Sequence, residues 1–152
     1  MQYSSKNNEH LQKMLGFYKE FYEKVWDTDI RIILYWSLSY AYFTQDENND
    51  INDIDIIAPE KEFLKIIELV KDMDWISCEL TDHNSLRLLK NGAKLSIHSE
   101  ALALEIVNFI PNLINIEINF CKFLSLWLDD LIKFYKKWCS YEVQRKSSYT
   151  DK

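Results

Sequence analysis

From Asn8 to Trp26 the apolar residues Leu11, Leu15, Tyr18, Tyr22 and Val25 recur at steps of three and four, the period of an amphipathic helix. Asp27-Thr28-Asp29 breaks that pattern. The β-branched and aromatic run Ile30 to Trp36 then predicts a buried strand, and Ser37 to Phe43 a short helix. A polar loop from Gln45 to Asn52 leads into a second strand, Asp53 to Ala58, and Pro59 suits the first turn of the helix after it. That helix presents Phe63, Ile66, Ile67 and Val70 on one face and is expected to end near Met73. Short strands are predicted over Trp75–Thr81 and Ser85–Lys90. Asn91-Gly92 is the strongest hairpin signal in the chain and joins the latter to Ala93–Ser99. A helix over Glu100–Asn108, a strand over Ile114–Ile118 and a long amphipathic helix over about 122–145 complete the pattern. These elements predict an α/β (α+β) fold, a mixed sheet flanked by helices with a long C-terminal helix.

At 152 residues, with no linker, repeat or low-complexity tract, the chain is expected to form one domain, its core at about 28–120. Two glycines, Gly16 and Gly92, are too few for a glycine-rich phosphate loop, which excludes P-loop and dinucleotide fingerprints. Eighteen Lys and Arg against 24 Asp and Glu give a formal charge of -6, so a broad face for duplex nucleic acid is not expected. The basic residues Lys133, Lys136, Lys137, Arg145 and Lys146 gather on the last helix, where a solvated face is the simplest reading. Cys78, Cys121 and Cys139 lack metal-ligand spacing and read as reduced, buried thiols. No leader pattern occurs at the N-terminus, and no run reaches the roughly 18 apolar residues of a membrane span. The expected setting is cytoplasmic.

Chemistry concentrates between Tyr35 and Pro59. Asp53 and Asp55, two apart in a strand, project from one face while Ile54 and Ile56 enter the core. Two carboxylates beside a long polar loop suit a hard cation, since magnesium commonly takes one or two carboxylates plus substrate phosphates. A surface acidic cluster would show the same pair. Ser37 and Ser39 suit either the cap of the short helix or a phosphate contact.

The strand, the serine turn Trp36-Ser37-Leu38-Ser39-Tyr40-Ala41, and the later Asn52-Asp53-Ile54-Asp55-Ile56-Ile57 together resemble the polymerase-β-type nucleotidyltransferase superfamily. Its motif runs h-Gly-Ser, then Asp-h-Asp-h, with h apolar. The closer likeness is to small bacterial enzymes of the lincosamide and aminoglycoside type and to minimal nucleotidyltransferases found beside toxin partners. Gly92 to His98 resembles the family's third-carboxylate strand, and Phe123 to Ile132 the helix after the catalytic core.

The resemblance implies a transfer of a nucleoside monophosphate from a nucleoside triphosphate to a hydroxyl. Asp53 and Asp55 would hold Mg²⁺, and Ser39, with Ser37 beside it, would contact phosphate. It also implies two departures. Leu38 stands where the glycine is expected, and Ser96 where the third carboxylate is expected. A serine is neither an anionic ligand nor an unaided base. His98, two residues on and on the same face, has an imidazole able to act as a base. Whether Asp50 or Glu100 takes the third acid's place is open in the sequence. A degenerate member acting as a binding module, antitoxin-like or regulatory, is the alternative, with a protein partner in place of turnover. A homodimer is one way for so small a domain to complete an acceptor site.

Overall fold

The structure is a computed structural model; it describes residues 3, 8–48, 50–81, 85–101, 103 and 112–150, with side chains as far as residue 139. Helix α1 (Asn8–Val25) buries Leu11, Met14, Leu15, Phe17, Tyr18, Phe21 and Val25 along the stripe its period predicts. The strands are β1 (Ile33–Tyr35), β2 (Ile54–Ala58), β3 (Ile76–Thr81), β4 (Ser85–Lys90), β5 (Ala93–Ser99), β6 (Leu113–Ile118) and β7 (Cys121–Leu126). Helices α2 (Ser37–Thr44), α3 (Phe63–Val70, entered by a 3₁₀ turn at Glu60–Glu62) and α4 (Leu128–Thr150) complete the described elements. The helix expected over 100–108 falls largely outside the described residues. No described helix is long and apolar enough to cross a membrane.

The sheet has seven strands in the order β3-β4-β5-β2-β1-β7-β6, mixed as expected. β2 runs parallel to β5 and antiparallel to β1, while β3, β4 and β5 form an antiparallel meander. One face buries Leu34, Ile54, Ile56, Leu88, Leu95 and Ile97 under α1 and α3. On the other face a smaller core of Ile33, Tyr35, Ile57, Leu126, Leu131 and Phe134 lies under α4. This second core covers β1, β2 and β7. Toward β3 and β4 the same face carries exposed Ser77, Glu79 and Arg87.

Three expectations are corrected. The long helix does not begin at 122: residues 121–126 are β7, paired with β6 from Ile118↔Cys121 to Leu113↔Leu126 and with β1 at Leu34↔Ser125. Cys121 and Phe123 are buried and Lys122 between them is exposed, a two-residue alternation that a short apolar run shares with a helix. The β6–β7 turn is Asn119-Phe120, with φ of 48° and 70°, a hairpin conformation reached here without glycine. The first strand is only Ile33–Tyr35, ended by Trp36 at φ 73°, ψ −142°. Of the three free cysteines expected to be buried, Cys121 is buried, Cys78 half-buried and Cys139 exposed.

Candidate active site

The predicted alternation in β2 holds: Ile54 and Ile56 are buried against α1 and α3, and Asp53 and Asp55 face the opposite way. Parallel pairing sets Asp55 beside Ser96 and Ile57 beside His98. The structure thereby gathers Asp53, Asp55, Ser96 and His98 on one patch. Ser96 Oγ donates to Asp53 Oδ2 at 2.8 Å, and Lys94 Nζ lies 3.8 Å from the same oxygen. His98 Nε2 is 3.4 Å from Asp55 Oδ1, and its Nδ1 is 3.1 Å from Ser85 Oγ. Glu100 is engaged elsewhere, by Arg31 at 2.6 Å.

Burial dominates the electrostatics. The Asp55 side chain is 9% exposed, and this desolvation pushes its carboxyl above the usual range. The hydrogen bond from His98 works against that rise, and the like charge of Asp53 adds to it. Tyr35, opposite Asp55 across β1–β2, is held well above an ordinary phenol by burial and then by the charges of Asp55 and Asp53. Its ring meets that of His98 edge-on at 5.6 Å.

The serine turn is arranged differently from expectation. Ser39 is fully buried, with its Oγ 2.5 Å from Ser125 Oγ, and offers nothing to a phosphate. Neither serine caps α2; Trp36 occupies the cap position and makes no side-chain bond to the helix. Leu38 is buried in the main core and does not obstruct the surface. The backbone that ordinarily calls for glycine is at Trp36, whose φ and ψ lie in a region almost confined to that residue. Its indole stacks on Tyr135 of α4 at 4.4 Å and meets Phe134 and Trp138 edge-on at 5.5 Å each. Ser37, next in the chain, opens into a groove of about 800 Å³ between α2 and α4, lined also by Tyr40, Ile132, Tyr135 and Lys136. Tyr135 is pushed up by burial first, then by Cys139 and by Asp55, so the groove comes within electrostatic reach of the carboxylates. Phe134 and Trp138 pack α4 on the second core, while Tyr135, and Trp127 just before the helix, are partly exposed.

As a donor set, two facing carboxylates fit one hard cation whose remaining ligands come from phosphate oxygens and water. Among the described residues no group of three His, Cys, Asp or Glu is placed to hold a metal by itself. Ser85, Lys94 and Tyr135 joined the site without a signal in the sequence, because only strand register and the docking of α4 bring them there.

The fold, with an Asp-x-Asp strand between the serine-turn strand and the parallel β5, is similar to that of solved nucleotidyltransferase and nucleotidyltransferase-like structures. Two solved structures define the likeness. A putative nucleotidyltransferase from Thermotoga maritima superposes with a TM-score of 0.65 over 97% of this chain and 94% of its own, at 16% identity. An antigenic nucleotidyltransferase-like protein from Paracoccidioides brasiliensis gives 0.53 over 80% of this chain and 62% of its own, at 11% identity. At such identity the likeness is one of fold. No family model and no curated protein matches the sequence.

Proposed function

We propose that the chain is a Mg²⁺-dependent nucleotidyltransferase moving a nucleoside monophosphate from a nucleoside triphosphate to a hydroxyl of a small molecule or protein. The observation that carries this reading is the Asp53–Asp55 pair, two like charges kept close on a sheet face although Asp55 is buried. Bound Mg²⁺ would offset their repulsion and stabilise charge on the reacting phosphate. Ser37, two residues past Tyr35, which pairs with Asp55, is suited to contact the phosphates, and the groove past Tyr40 and Tyr135 to take the nucleoside. His98 is suited to take the proton of the acceptor hydroxyl, with Ser85 fixing its ring through Nδ1.

A second reading has its own observation. Ser96 in the third acid's place donates to Asp53, and Lys94 supplies that carboxylate with a cation from the chain itself. Both favour a binding module that holds a nucleotide or a protein partner without turnover. The test is calorimetry with ATP, GTP, CTP and UTP, with and without Mg²⁺, beside release of pyrophosphate in the presence of candidate hydroxyl acceptors. Mg²⁺-dependent binding and transfer, both lost in Asp55→Asn with the fold intact, is the expected result. Binding without transfer selects the module; full activity in Asp55→Asn refutes the assignment of the pair.

A further inference from the structure

Register across β4, β5 and β2 sets Arg87 opposite Ser96 and Ser96 opposite Asp55, so the three stand in one row on one face. Two strand spacings separate Arg87 from Asp55, about 10 Å between Cα atoms, a gap that an extended arginine largely spans. Arg87 is exposed and makes no ion pair or hydrogen bond among the described residues. Glu79 faces it across β3–β4, likewise exposed, without forming an ion pair with it. One row along, Lys94 touches Asp53 yet keeps about a third of its side chain in solvent, 36%. Two cations thus flank the carboxylates on the β5–β4 side.

Ser37 lies on the other side, at the end of β1. Phosphoryl transfer is in-line, with entering and leaving oxygens on opposite sides of phosphorus. If the leaving pyrophosphate lies toward Ser37, as in the nucleotidyltransferase reading on which this step rests, the acceptor enters over β5 and β4. There it meets an exposed guanidinium and a partly exposed ammonium.

We propose that the acceptor is a small alcohol that also carries a phosphomonoester, held by Arg87 and Lys94 while its hydroxyl is presented toward His98. A planar guanidinium fork and an ammonium together match a phosphate dianion better than the single charge of a carboxylate. In the transfer the acceptor oxygen forms a bond to the α-phosphorus. The bond from that phosphorus to the bridging oxygen breaks, and that oxygen leaves with pyrophosphate. The hydroxyl proton passes to His98 Nε2 in the tautomer that carries its hydrogen on Nδ1, toward Ser85 Oγ, which leaves Nε2 unprotonated once Asp55 has turned to the cation. The products are a phosphodiester of the acceptor and pyrophosphate.

The test uses the full chain and three probes, glycerol 3-phosphate, glycerol and lactate, titrated by amide chemical-shift perturbation. Glycerol 3-phosphate is expected to bind, with shifts in β4 and β5, and the other two to bind at least about tenfold more weakly. Arg87→Gln and Lys94→Gln should each weaken it by about tenfold, and Lys71→Gln, at the exposed end of α3, should leave it unchanged. Equal binding of glycerol or lactate, or wild-type affinity in Arg87→Gln, would overturn the proposal. Calorimetry with Mg²⁺ and nucleoside triphosphate on the same variants reports the parent reading separately. Arg87→Gln should leave that binding within about twofold, because Arg87 lies on the acceptor side.

Discussion

Replacing Ser39 with Ala separates a buried structural hydroxyl from a phosphate contact. Ser125 Oγ donates to the carbonyl of Leu126 at 3.0 Å, so the short contact between the two hydroxyls is Ser39 donating to Ser125. Both side chains are fully buried, and the bond ties α2 to β7, one strand in from the edge of the sheet. Removing the Ser39 hydroxyl forfeits one buried hydrogen bond and strips Ser125 of a donor, a loss of about 1–2 kcal/mol. Serine and alanine are close in size, so no sizeable cavity adds to it. Ser125→Ala removes that bond and its own to the Leu126 carbonyl, and should cost at least as much. The double variant should recover part of the sum, a coupling on the order of 1 kcal/mol. Equilibrium urea unfolding followed by tryptophan fluorescence measures all three. With a slope of about 2 kcal/mol per molar, Ser39→Ala should lower the midpoint by about 0.5–1 M at unchanged slope. Nucleotide binding should survive below the transition. A midpoint at the wild-type value, or loss of nucleotide binding in a variant of full stability, would refute this account of Ser39.

Phe120 is 80% exposed and sits at φ 70° in the β6–β7 turn, so Phe120→Gly should stabilise the fold by about 1 kcal/mol. For a chain of this size that is a Tm rise of roughly 2–4 °C by calorimetric scanning, and an unchanged or lower Tm would contradict the turn geometry. Asp55 titrates above the ordinary carboxylate range, chiefly through burial. Between the unfolded value of about 3.9 and the raised folded one, the folded chain binds more protons. This carboxyl therefore makes stability fall as pH rises through that window, and its penalty is complete above it. Asp55→Asn should raise Tm at neutral pH and narrow its advantage as pH falls toward about 4. Thermal unfolding of both proteins across that range checks the sign, and parallel curves would refute it.

The elements with one strong local cause were legible. α1 follows from its three-and-four spacing, and the β4–β5 turn from Asn91-Gly92, whose φ of 50° and 83° are those its sequence asks for. β7 was hidden for two physical reasons. Phe123, Leu124, Leu126, Trp127 and Leu128 read equally as one side of a helix or as a buried strand, because short apolar runs carry no decisive period. The turn before it uses Asn119-Phe120, and a phenylalanine at positive φ carries no turn signal. Tertiary pairing with β1 and β6 decided what local preference left open.

In the site, alternation alone put Asp53 and Asp55 on one face, since a two-residue period allows nothing else once Ile54 and Ile56 are buried. Which residue of the serine turn takes the glycine-like backbone was not legible. Leu38 looked like the glycine's replacement, but the conformation belongs to Trp36, and the stack on Tyr135 with edge contacts to Phe134 and Trp138 is what sustains it. An aromatic clamp across β1 and α4 thus occupies the turn where a residue without a side chain was expected. β5 shows a parallel exchange. Its three positions facing the carboxylates are Lys94, Ser96 and His98, an ammonium, a hydroxyl and an imidazole in place of a third acid. The patch carries two carboxylates and, in Lys94, a cation of its own. Any cation or phosphate arriving there must displace Lys94 from Asp53 or share that carboxylate with it, and the exposed cation two strands away is Arg87.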